Sequence, residues 1–188
     1  MPKRYLYLIR NAQYKRAENS TEGTLTDAGE RQAQISANAL AHLPIQSIHC
    51  SPYEQVRQTA QYFADVCQVK SIETGLLRQY DSFAMEDGTL TRKQFLSALE
   101  NQQQQLGAAF VVFVQPPPAK TDYHEIVVCH ANIIRDLICK GINVNPATWA
   151  HIVINHCGIS TLSIDDHNTV ELLTYNETNH LPDSLKTE

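Results

Sequence analysis

Long apolar runs are missing from this chain. The stretch AAFVVFV at 108–114 falls far short of the roughly 20 residues that a membrane-spanning helix needs, so no membrane association is expected. Positive charge is in deficit as well. Fifteen Lys and Arg against 20 Asp and Glu leave a formal charge of -5 and a pI near 5.9, which argues against nucleic acid as a partner. Paired cysteine motifs are absent too: Cys50, Cys67, Cys129, Cys139 and Cys157 form no C-x-x-C and leave an odd one over. Reduced thiols and a cytoplasmic location follow as expectations. The N-terminus carries two basic residues with no apolar signal region after them, so secretion is not expected. No repeat or domain boundary appears, and QQQQ at 102–105 reads as a solvated helix face. His156 and Cys157 find no third ligand at metal spacing, and neither metal nor cofactor is expected.

What is present is an ordinary core-forming composition, 43% hydrophobic and 19% charged over 188 residues. RYLYLI (4–9), IQSIHC (45–50) and VKSIE (69–73) read as strands, the first two richest in branched and aromatic residues. TLTDAGERQAQISANALAHL reads as a helix with Thr26 as its cap and Ala33, Ala37 and Leu40 on one face. In SPYEQVRQTAQYFADV, Ser51, Pro52 and Glu54 supply a cap, a first-turn proline and a capping-box carboxylate, with Val56, Thr59, Ala60 and Phe63 as the buried stripe. Residues 74–90 read as loop, and TRKQFLSALENQQQQLGAAFVVF as helical in its first half. The three prolines of VQPPPAKTD exclude helix. EIVVCHANIIRDLICKGI reads as strand, sharp turn and helix, with Ile134, Leu137 and Ile138 at helical spacing and Gly141 as the stop. GISTLSI and TVELLTY around DDHN make an antiparallel hairpin at or near a sheet edge. The alternation predicts one α/β domain over 1–188 with a mostly parallel sheet and an antiparallel C-terminal hairpin or edge strand.

Two of the strands end in chemistry-bearing residues, Arg10 and His130. In open α/β sheets ligands gather at the carboxyl ends of strands, where these side chains converge. The helix opening at Ser51–Pro52 adds the positive end of its dipole at the same edge. Arginine, histidine and helix N–H groups together suit a phosphate-like anion.

The stretches YLYLIRNAQ, TLTDAGERQA, CSPYEQVRQTA and IVVCHANIIRDLIC resemble successive signatures of the histidine phosphatase superfamily, which includes cofactor-dependent phosphoglycerate mutase. The similarity runs from residue 4 to NHLPDSL near the C-terminus. Within the superfamily, CHANIIR, LLRQ and NPATWA resemble the phosphoglycerate-mutase-like serine/threonine protein phosphatases of mitochondria, and neither their N-terminal membrane segment nor their multimerisation motif is expected here. The resemblance implies a three-layer α/β/α sandwich and a mechanism with five roles. A histidine after the first arginine attacks phosphorus. Two arginines and a second histidine neutralise the phosphoryl oxygens, and a carboxylic acid protonates the leaving group. Carried over, Arg10 matches the first arginine and His130 the second histidine. Asn11 stands at the nucleophile position, Gln55 at the second arginine and Gln79 at the acid. The resemblance places the phosphate contacts on Arg10, Asn11, Gln55, His130 and Ala131.

A carboxamide nitrogen delocalises its lone pair into the carbonyl, so Asn11 is no substitute for an imidazole nucleophile. Gln55 lacks the fixed charge and two-pronged donor of arginine. Gln79 has no proton to give near neutral pH. Rescue is poorly supplied. Cys129 faces away from His130 by strand alternation, and Cys50 has no evident base. Asp81 serves as acid only if its loop shifts, and Arg57 points to another side of its helix than Gln55. Lys15–Arg16 reads as a solvated surface pair. The expected function is therefore an inactive or severely impaired phosphatase fold that keeps an anion pocket for a phosphorylated ligand or a protein partner. Two alternatives stand. One is an active phosphatase on phosphoprotein or a small phosphoester, with Asn11 engineered or bypassed by His130 or Cys50. The other is a purely structural role. The natural ligand and the oligomeric state, a homodimer included, stay open.

Overall fold

The computed structural model describes residues 1–18, 20–79, 92–145 and 153–188. Asp81 and Trp149 lie outside these residues, as does most of NPATWA. The central strand is β1 (Lys3–Arg10), with Leu6 and Leu8 buried on one face and Tyr7 and Ile9 on the other. Burial on both faces explains its nearly continuous apolar run. It pairs in parallel with β6 (Tyr123–Cys129) and antiparallel with β7 (Ile159–Asp165). With β4 (Ile45–Cys50), β5 (Ser71–Glu73) and β8 (Val170–Glu177) the six-stranded order is β5-β4-β6-β1-β7-β8. The β7–β8 hairpin turns on Asn168, whose φ of 65° is the left-handed conformation that asparagine tolerates. Asp165 Oδ1 accepts the N–H groups of His167 and Thr169 at 2.9 and 2.7 Å.

Two buried clusters lie on the two faces of the sheet. On one, α1 (Asp27–Leu40) and α2 (Glu54–Cys67) lay Ala37, Leu40, Val56, Ala60 and Phe63 over Tyr7, Ile9, Ile126 and Val128. On the other, α3 (Arg92–Phe113) and α4 (Ala131–Gly141) lay Ala109, Phe113, Ile133, Ile134, Leu137 and Ile138 over Leu6, Leu8, Val127 and Cys129. The result is a three-layer α/β/α sandwich. Each large aliphatic side chain wholly withdrawn from water contributes about 1.5–3 kcal/mol relative to an exposed one. α1 begins as the sequence predicts, with Thr26 Oγ1 accepting from Gly29 N–H at 3.0 Å.

Three local expectations are corrected, and one element is new. Ser51 does not cap α2. The helix begins at Glu54 after Tyr53 with no side-chain cap, and Glu22 Oε2 accepts the Glu54 N–H at 3.2 Å instead. A partner from a distant loop replaces the local capping box. α3 is helical through Phe113, because its second half buries Ala109 and Phe113, whatever the branched residues prefer locally. Gly141 sits within the last turn of α4, while Asn143, at φ 56°, takes the left-handed position. Finally, residues 14–25 contain a small hairpin of β2 (Tyr14–Arg16) and β3 (Gly23–Leu25). Gly23 is required there, since a Cβ would lie 2.0 Å from the Lys15 carbonyl oxygen.

Candidate oxyanion site

Strands β1, β4 and β6 end together at one edge of the sheet. Asn11 N–H donates to Cys129 O at 2.9 Å and Ser51 N–H to Val128 O at 3.2 Å, so the segments leaving three strands are tied before they diverge. Arg10, Asn11, Ser51, His130 and Ala131 all lie here.

The Arg10 guanidinium donates through Nη1 to Ile154 O and through Nη2 to His156 Nε2 at 3.2 Å. Burial pulls its pKa below the ordinary value; Tyr14 opposes this and Arg135 adds to it. A guanidinium remains charged regardless. His130 precedes the first turn of α4, where the first N–H groups of a helix look outward. Its Nε2 lies 3.0 Å from Ser51 Oγ, and its ring meets Tyr53 edge-on at 5.1 Å. Burial first, then the Arg10 charge, push the His130 pKa down to about 4, so the free imidazole is neutral at pH 7. Ala131 opens α4 and packs partly against the core.

The three carboxamides are held differently. Asn11 is buried, with Nδ2 donating to Ala12 O at 3.0 Å. Gln55 is fully buried and both ends of its amide are engaged by one loop: Oε1 accepts Gly23 N–H and Nε2 donates to Thr21 O, each at 3.2 Å. That amide clamps the segment before β3 onto α2. Gln79 meets the site through its backbone, its carbonyl accepting from the Tyr53 hydroxyl at 3.2 Å.

Other side chains at this edge take different parts. Cys50 is buried and its thiol is pushed up to about 11, chiefly by burial. Cys129 is fully buried in the core, its pKa raised by the same cause. Arg57 is exposed and pairs with Glu54 on the surface of α2, and Lys15 and Arg16 are exposed on β2. Among the described residues no three His, Cys, Asp or Glu side chains gather as a metal site. No helix among them is long and apolar enough to cross a membrane. Sequence reasoning missed Ser51 as the partner of His130, Thr59 as the acceptor for Ala12 N–H at 3.0 Å, and His156 beside Arg10. The only signal for them was chemical type, since each pairing spans 47 to 146 residues of sequence.

A basic strand end, a histidine and a helix N-terminus at the carboxyl edge of an α/β/α sheet define a phosphoryl-binding fold. This chain belongs to the histidine phosphatase superfamily (branch 1), whose model matches residues 6–110. It is 27% identical over 185 residues to the mitochondrial serine/threonine-protein phosphatase PGAM5 of Xenopus tropicalis, covering 95% of this chain and 66% of that protein. The Rattus norvegicus counterpart is 29% identical over 189 residues, covering 95% and 64%. The chain thus spans slightly less than two thirds of the length of these relatives. Among solved structures, Bacillus stearothermophilus YhfR superposes with a TM-score of 0.75 at 15% identity, over 95% of this chain and 100% of that one. Phosphoserine phosphatase from Entamoeba histolytica, in complex with 3-phosphoglyceric acid, gives 0.71 at 20% identity, over 95% and 100%. These two show a shared fold.

The cytoplasmic location expected from the sequence is corrected by the relatives, which are named mitochondrial. Unpaired thiols report a reducing environment and carry no address that tells one such compartment from another.

Proposed function

We propose that this chain is a histidine-phosphatase-fold protein that binds a phosphorylated ligand, or a partner presenting a phosphoryl-like anion, without turning it over at a useful rate. The observation that carries this reading is Asn11. At the end of β1, directly after Arg10, stands an amide whose nitrogen donates to Ala12 O, and the resemblance puts the family's nucleophile at this position. Replacing the nucleophile of another hydrolase removes on the order of 10⁶ in turnover. Gln55 adds to the case, because its amide holds the 21–23 loop and brings no positive charge. Arg10, the His130 ring and the start of α4 supply the retained anion contacts, with Asn11 and Ala131 alongside.

The relatives' name, serine/threonine-protein phosphatase, favours a second reading: a working phosphatase on phosphoprotein. That reading needs another nucleophile. A buried Cys50 thiol at about 11 is almost wholly protonated at neutral pH, and a His130 that attacks phosphorus is lost from the anion clamp.

Turnover of p-nitrophenyl phosphate and of phosphopeptides by the unaltered chain decides between them. The expected result is no activity above that of His130→Ala, together with a melting temperature that rises with phosphate or vanadate concentration. Turnover abolished by His130→Ala would overturn the inactive reading. No thermal shift at millimolar ligand would overturn the binding reading.

A further inference from the structure

The C-terminal segment reaches back to the oxyanion edge through Thr187. Thr187 Oγ1 lies 3.0 Å from His156 Nδ1, and Gln32 Nε2 donates to the same oxygen at 2.8 Å. Its carbonyl accepts from His156 N–H at 2.9 Å and from Asn155 Nδ2 at 3.2 Å. Donor inventory fixes the direction of every bond in this chain. Arginine has no acceptor, so the 3.2 Å contact between Arg10 Nη2 and His156 Nε2 requires Nε2 to accept. A neutral His156 that accepts at Nε2 carries its proton on Nδ1 and donates it to Thr187 Oγ1. The threonine oxygen has two lone pairs, and His156 and Gln32 use both.

Gln32 joins this chain to the strand end. It is fully buried, its Oε1 accepts Gln13 N–H at 2.9 Å, and its Nε2 also donates to Leu185 O at 2.7 Å. One side chain of α1 therefore grips both the segment after Asn11 and the C-terminal segment. Beyond the ring, the guanidinium is held at two nitrogens, by Ile154 O and by His156 Nε2. A planar fork pinned at two nitrogens has a fixed plane, and that plane sets where its remaining N–H groups point.

We infer that Thr187, acting through the imidazole of His156, is the positioning residue that orients Arg10 for anion binding. The inference rests on the reading of Arg10 as an oxyanion ligand. Without the Thr187 hydroxyl, the buried Nδ1–H loses its side-chain acceptor and keeps only the Thr187 backbone carbonyl, which does not hold the ring in the same orientation. A changed orientation removes the acceptor that Arg10 uses.

The test combines inorganic phosphate and orthovanadate titrations of the full chain with side-chain ¹⁵N NMR of Arg10 and His156. Thr187→Val, which keeps shape and removes the hydroxyl, is expected to weaken anion affinity about tenfold, the worth of one hydrogen bond. It should also shift the Arg10 Nη and His156 Nδ1 resonances. Thr187→Ser should restore both, which a purely packing role for the threonine methyl would not do. In a His156→Asn background, Thr187→Val should cause no further loss of affinity. Unchanged Arg10 resonances in Thr187→Val would overturn the inference. If the unaltered chain binds neither anion, the binding reading of the site fails by itself. The Arg10 resonances then still decide the coupling: movement in Thr187→Val but not Thr187→Ser supports it, and no movement overturns it.

Discussion

Thr59 Oγ1 accepts the backbone N–H of Ala12 at 3.0 Å and donates its own proton to Gln55 O at 2.7 Å. A hydroxyl in the first turns of α2 thus latches the chain where it leaves β1, one residue past Asn11. All three residues are buried, so water is no substitute partner. Thr59→Val keeps the shape and leaves the Ala12 N–H without an acceptor. The expected loss is about 1–3 kcal/mol, measured by urea denaturation, with Thr59→Ser close to the unaltered protein.

Glu125 is nearly inaccessible and holds two partners, Arg4 through Nε at 2.8 Å and His49 Nε2 at 3.1 Å. Burial alone raises its carboxyl pKa, but the His49 hydrogen bond and Arg4 outweigh burial and leave it below the ordinary value. The folded state therefore binds that proton less readily than the unfolded chain. Stability from this carboxylate is present above the ordinary glutamate range and is lost as pH falls through its lowered value. Glu125→Leu alone strands a buried guanidinium and should destabilise by about 3–5 kcal/mol in urea melts at pH 7. Adding Arg4→Met should recover most of the loss. A double variant no more stable than the single one would show that the pair does more than satisfy itself.

His130 and His156 set a second acid limit. Burial, then the Arg10 charge, push each down to about 4 from the unperturbed 6.5. The native state thus resists protons that the unfolded chain accepts. Stability is full above pH 6.5 and falls as pH drops toward 4, by as much as about 3 kcal/mol for each histidine. Unfolding free energies at pH 7, 6, 5 and 4 should show this decline before carboxylate protonation dominates. His130→Asn should flatten part of the slope. A bound anion should raise the His130 pKa, so phosphate is expected to stabilise the protein more at pH 5 than at pH 7.

Gly29 offers a test in which propensity and packing oppose each other. In the first turn of α1, alanine gains about 1 kcal/mol of helix propensity over glycine. A Cβ there would lie 1.9 Å from the Gln13 carbonyl oxygen, which accepts the Thr26 N–H at 3.1 Å. Backbone has to move, and it is the backbone that follows the oxyanion edge. Gly29→Ala is expected to lower stability by about 1–3 kcal/mol and to weaken phosphate binding. A stabilised variant would mean the Gln13 segment yields freely.

The repeating strand–helix pattern was readable because each unit carries its own period. The stripe Val56–Ala60–Phe63 and the doubly buried run of β1 are local signals of a global arrangement. Arg10 and His130 were readable for a related reason, since both sit where a strand stops. Ser51 was misread: Ser-Pro-x-Glu is a sound local capping signal, yet the hydroxyl faces His130, 79 residues away, and the helix begins at Glu54. Gln55 carries a partner that its motif does not announce: the fold brings residues 21–23 to its amide.

The sequence by itself determined the main strands and helices of the sandwich, which edge of the sheet gathers the charge, and that position 11 carries an amide. These follow from periodicity and side-chain type, which act over a few residues. Tertiary structure decided the partners: Ser51 for His130, Thr59 for Ala12, and His156 with Thr187 behind Arg10. A hydrogen bond between distant residues depends on how layers stack and strands order, and buried polar groups take whichever partner the packing delivers.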